Sequence, residues 1–204
     1  MAGFIDDLAF ELFTLSLVGV ISLYMTTSVY LAYRKGVKDI EKVLRPGAYP
    51  LGILGGIITI MSIYGEMTWP LPSSYNILFY DPYLMLGLIL VMMSVSIILN
   101  QKLQYVGVIA LFAGLIAIYY GVSAYTDKMT ASPIAMLGLY IAFGLTGVFT
   151  YPATLIYDTL PGKEKVSKAW TVTLVIFWIG LVVSAVLASV TGVPAVSQHL
   201  ISPP

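Results

Sequence analysis

Six stretches of this chain are apolar for long enough to cross a lipid bilayer as helices: residues 8–33, 48–67, 83–99, 105–125, 133–157 and 169–191. A span needs about 20 apolar residues, because a helix rises about 1.5 Å per residue through about 30 Å of hydrocarbon. Each stretch is apolar on nearly all sides, as expected where lipid covers one face and neighbouring helices the other. Only 10% of the residues are charged, against about 25% in an ordinary soluble domain. That excludes a soluble globular domain and a disordered chain. The expected fold is all-α: a polytopic transmembrane bundle of six helices, one integral membrane domain over residues 1–204. The N-terminus, MAGFIDDLAFE, is acidic where a signal peptide is basic, so the first segment reads as a retained helix.

The ten Lys and Arg residues set the expected orientation, since cytoplasmic loops are enriched in them. Arg34, Lys35, Lys38, Lys42 and Arg45 fall in the first loop, Lys102 in the third, and Lys163, Lys165 and Lys168 in the fifth. The opposite side holds only Lys128 against Asp6, Asp7, Glu11, Glu66, Asp81 and Asp127. This places the basic loops in the cytoplasm and both termini outside, in a multi-pass protein of the cell membrane. Within the first loop, Val37, Ile40 and Leu44 stand at helical spacing and predict a brief interfacial helix. Pro50 and Pro133 fall in expected first turns. Pro152 predicts a kink or an early end to the fifth segment.

Close helix packing in lipid relies on small residues. Gly107, Ala110, Gly114, Ala117, Gly121 and Ala124 alternate spacings of three and four. They form a heptad seam that suits packing within the chain or against a partner helix. Gly52 and Gly56 form a GxxxG pair, and Ser16, Gly19, Ser22, Thr26 and Tyr30 form a polar stripe on the first segment.

The counts exclude much chemistry. There is no Cys and one His, His199, so thiol nucleophiles, Cys-ligated zinc, iron–sulfur clusters and a bis-His haem are ruled out. No cofactor and no metal site is expected, nor a catalytic residue. A Ser-His-Asp triad would have to use His199. No dense basic patch points to nucleic acid. Ionisable groups within a bilayer are costly and mark functional sites. Here all lie within one or two turns of a segment end, which argues against a charge relay across the membrane. Asp158 is expected to pair with Lys163 or Lys165 or to stay hydrated. The candidate binding residues gather on the outer side: Glu66, Asp81, Tyr64, Trp69, Tyr75 and Asn76. Two carboxylates sharing a site there would bind a cation or shuttle a proton. Asp81 before Pro82 also fits a helix cap. The rings fit an interfacial aromatic belt.

The string Trp69-Pro70-Leu71-Pro72, followed by Ser74-Tyr75-Asn76-Ile77-Leu78-Phe79 and Asp81-Pro82-Tyr83, resembles the most characteristic stretch of an archaeal multi-spanning family, domain of unknown function 981. The resemblance extends over most of the chain. It implies an archaeal cell membrane and a small residue where this chain has Tyr80, and it supplies no mechanism.

Three functions compete. The first is a non-catalytic subunit or scaffold packing against partner transmembrane helices or a second copy, supported by the Gly/Ala seam. The second is a channel or transporter using the outer polar and aromatic site. The third is a lipid- or quinone-binding membrane enzyme. A water-filled cavity would favour transport, and a dry core with a free Gly/Ala face would favour a subunit.

Overall fold

The computed structural model describes residues 7–37, 39–163 and 165–201. Asp6, Lys38 and Glu164, and the side chains of Asp7 and His199, lie outside the described residues. Six helices follow one another: α1 (Asp7–Arg34), α2 (Ile40–Thr68), α3 (Tyr75–Ile98), α4 (Gln104–Thr126), α5 (Pro133–Thr159) and α6 (Lys168–Ile201), with a 3₁₀ turn at Leu160–Gly162 after α5. All six contain a window long and apolar enough to cross a membrane.

The expected segments are all present, and α2, α3 and α6 run furthest past them, by eight to ten residues at one end. The charged first loop is shorter than expected, because α2 begins at Ile40. Ile40 and Leu44 are buried there as part of a spanning helix and not of a separate interfacial one. Pro46 and Pro50 therefore sit inside α2. Asp39 caps it, accepting the Lys42 N–H at 3.3 Å and pairing with the Lys42 ammonium at 2.8 Å. These contacts hold the Asp39 carboxyl below its ordinary pKa. Helix α3 begins at Tyr75, behind Ser74, so Asp81 stands in its second turn and is not its cap. Helix α5 continues through Pro152 to Thr159, and α6 continues to Ile201.

Each helix packs on its neighbours in sequence, and α6 returns to α1, so the six form a closed ring. Small residues set the close approaches. On α4, a Cβ at Gly114 would stand 2.5 Å from the Gly144 carbonyl oxygen and 2.7 Å from the Val148 nitrogen. Gly107 and Gly121 likewise lie against Thr154 and Tyr140 of α5. The seam on α4 thus faces α5, with Ala110 and Ala124 buried. The α2–α3 contact places Gly55 against Leu90, and Ser94 donates to the Ala48 carbonyl at 2.7 Å. Gly52 lies against Ser94, while Gly56 faces open space. Between α1 and α6, Gly19 lies against Ala185, and Ser189 donates to Ser16 at 2.9 Å.

One end of the ring carries most of the Lys and Arg, and polar ties join helix termini there. Arg45 of α2 donates to the Ile98 carbonyl at the end of α3 at 2.9 Å. Asp158 of α5 accepts the Leu103 and Gln104 N–H groups, at 3.0 and 2.9 Å, at the start of α4. Lys102 in turn donates to the Asp158 carbonyl at 3.4 Å. Asp158 therefore serves as a cap borrowed by a neighbouring helix, because a carboxylate is best placed where N–H groups have no intrahelical partner.

Candidate functional site

The ring lines a partly open cavity of about 470 Å³, with wall residues from all six helices. Its wall is almost wholly apolar, running from Leu8 and Glu11 near the acidic end to Leu44, Ile97 and Leu103 near the basic end. The volume lies in the range of small-molecule sites, roughly 300–1,000 Å³. Ala110, Gly114 and Ala117 of α4 line it, since small side chains that admit α5 also leave space inside the ring.

Glu11 is the one charged residue in the described part of that wall. It is only 5% exposed. Beside it, Thr14 and Tyr83 share a 2.5 Å hydrogen bond between α1 and α3. Tyr140 donates to the Leu78 carbonyl at 2.5 Å. This contact has a backbone cause. In an α-helix the Leu78 carbonyl would accept the N–H four residues on, but that residue is Pro82, which has none. Tyr140 of α5 supplies the missing donor, so α3 carries a proline in its interior with its freed carbonyl satisfied.

The six candidate binding residues separate into three groups. Glu66 and Asp81 come together, close enough for their carboxyl groups to interact. Tyr120 of α4 donates to Asp81 Oδ2 at 2.5 Å. This trio joins α2, α3 and α4 near the acidic end, and Glu66 Oε1 is buried with no hydrogen-bond partner among the described residues. The trio is not part of the cavity wall. Asn76 and Tyr75 fasten the loop. Asn76 is fully buried, donates to the Gly65 carbonyl at 3.2 Å and accepts from the Leu71 N–H at 3.4 Å. Tyr75 stacks on Phe79 and donates to the Met129 carbonyl in the α4–α5 loop. Tyr64 and Trp69 are about half exposed, at 45% and 47%. Trp69 ends α2 in the left-handed region, with its N–H on the Gly65 carbonyl at 2.9 Å. Tyr80, where the resemblance implies a small residue, is buried with its ring against Gly65, so the missing side chain on α2 makes the room.

Sequence reasoning passed over Tyr120 and Tyr140. A proline inside a span is the one signal that could have prompted a search for a compensating hydroxyl. The Gly/Ala seam does not present a free face, since its glycines lie on α5. No three His, Cys, Asp or Glu side chains are placed to hold a metal ion together among the described residues.

No curated protein and no solved structure matches the chain. The family described as "Protein of unknown function (DUF981)" matches it over residues 1–202. With that match and six helices long and apolar enough to span a membrane, the chain belongs to this family as an uncharacterised multi-pass membrane protein.

Proposed function

We propose that this protein is a membrane receptor or carrier for a chain-like apolar ligand, held in the space lined by its six helices. The observation that carries this reading is the 470 Å³ apolar cavity bounded by every helix of the ring. An ion path is commonly lined by rings of charged side chains or carbonyls, whereas Glu11 is the one charged residue of the described wall, and a scaffold for partner helices would need a free close-packing face. The seam that first supported a partner subunit is engaged by α5, which leaves the cavity as the better-supported basis for function. The distribution of Lys and Arg supports a cell-membrane setting with the basic end in the cytoplasm and both termini outside.

The test is saturable binding of radiolabelled dodecanol to the purified protein in lipid nanodiscs. About one molecule bound per chain is expected, lost in Ala113→Phe, which fills the cavity wall. Uptake that never saturates, or that is the same in Ala113→Phe, would overturn the proposal.

A further inference from the structure

The contacts that close the ring are unequal. Three are close-packed, α2 on α3, α4 on α5 and α1 on α6, and each brings a glycine against its neighbour. The three seams between these pairs are looser, and α3 against α4 is the sparsest of them. Each of the other two still holds a glycine in close approach. Gly47 lies on Met25 between α1 and α2, and Gly180 lies on Thr146 between α5 and α6. No described glycine of α3 or α4 has the other helix among its nearest neighbours. The two helices are joined by the short turn 99–103 at the basic end, and Tyr120 donates to Asp81 at the acidic end. Between these ties lies a small apolar cluster of Ile89, Val106 and Ala110, with Met92, Met93 and Ala113 packed on it.

That cluster separates the cavity from the outside of the ring. Ile89, Met93, Ala110 and Ala113 line the cavity, whereas Met92 does not. Met92 is half-buried, so it covers the cluster on the side away from the cavity. One methionine thus stands on the inner side of the sparsest seam and one on the outer side. Methionine is unbranched, with three rotatable bonds, and adapts its shape readily. The alanines opposite add little bulk. Side-chain rotation alone can therefore open a passage here while both ends of the seam stay tied. An apolar chain-like ligand is dissolved in the bilayer, and a route through the side of the ring spares it the polar rim at either end. With the cavity as the seat of such a ligand, as proposed above, we propose that it enters and leaves between α3 and α4. The passage is a lateral window in the half of the seam nearer the basic end, with Met92 and Met93 as its shutter.

The chain has no Cys, so a single thiol can be placed at the window. The test follows the exchange of bound radiolabelled dodecanol for unlabelled dodecanol on the protein in nanodiscs. Met92→Ala is expected to speed exchange roughly ten-fold, a change of about 1.4 kcal/mol in the barrier. Met92→Cys, loaded and then modified with a benzyl methanethiosulfonate, is expected to hold its ligand roughly ten-fold longer than before modification. A reductant that removes the adduct should restore the original rate. The same adduct on Ile53→Cys, at an exposed position of α2 outside the cavity wall, should leave exchange unchanged. Exchange unmoved by the Met92→Cys adduct would overturn the window, and so would a Met92→Ala protein no faster than wild type or an Ile53→Cys adduct that slows exchange equally. In each of these cases saturable dodecanol binding would still stand for the cavity. Dodecanol uptake that never saturates in the wild type would overturn the cavity and the window with it.

Discussion

The donation from Tyr140 to the Leu78 carbonyl makes a quantitative prediction. Leu78 is 3% exposed and Tyr140 6%, so no water replaces the phenol if it is removed. Tyr140→Phe keeps the ring and its packing but strands a buried carbonyl, at a cost of about 1–3 kcal/mol. For a chain of this length about 2 kcal/mol lowers the melting temperature by roughly 4–8 °C. Thermal unfolding in mild detergent, followed by emission of the three tryptophans, measures it. The mechanism is tested by a cycle with Pro82→Ala. That substitution restores an N–H to α3 at the position that bonds the Leu78 carbonyl. In the Pro82→Ala background, Tyr140→Phe is expected to cost about 1 kcal/mol less than in the wild type, a coupling well above the additivity error of about 0.3–0.5 kcal/mol. An equal penalty in both backgrounds would show that the phenol does not compensate the proline. A Tyr140→Phe protein melting with the wild type would refute the reasoning outright.

Three further outcomes are expected. Asp158→Ala removes two carboxylate hydrogen bonds from the start of α4 and should cost about 1–2 kcal/mol, with Asp158→Asn recovering part of it, both read from thermal unfolding. Gly114→Val drives a side chain into the Gly144 carbonyl and should destabilise by about 1–3 kcal/mol or more, seen as a collapse in the yield of monodisperse protein on gel filtration. The depressed Asp39 pKa gives a sign. Its stabilising contribution is fully present above the ordinary carboxylate value and is lost as the pH falls through the lower, folded value. The stability difference between wild type and Asp39→Asn should therefore be constant near neutral pH and vanish at the acid end of a pH series of melts.

The spans were legible because membrane crossing imposes a length and a composition that six segments meet openly. Their ends were not, and the reasons lie in particular residues. Glu41, Lys42 and Arg45 read as a loop, yet a helix may leave the hydrocarbon and continue in water. Ile40 and Leu44 bury one face of that extension, and Arg45 uses it to reach the end of α3. Asp81-Pro82 reads as a cap and first turn, because a proline inside a helix is costly. The sequence around it carries no sign that a tyrosine nearly sixty residues away removes the cost. Of the outer-side candidates, Glu66 and Asp81 were found because carboxyls near a bilayer are rare. Tyr120, which completes their contact, sits among apolar residues like any lipid-facing ring. The cavity itself has no sequence signature. It is a space set by the register of six helices, and the small residues bordering it read as packing positions.

The closure of the ring between α1 and α6 orders its assembly. Ser16 and Gly19 have their helix partners on α6, as does Tyr30, whose hydroxyl lies 3.3 Å from Thr171. During synthesis the first helix must therefore wait in the membrane while four others are made. At about 5–20 residues per second, the interval from Arg34 to Lys168 is on the order of ten seconds. Until α6 is made the ring lacks one of its six walls, so the space inside it is open to the bilayer. On the ligand-binding function proposed above, loading then becomes a step of biogenesis.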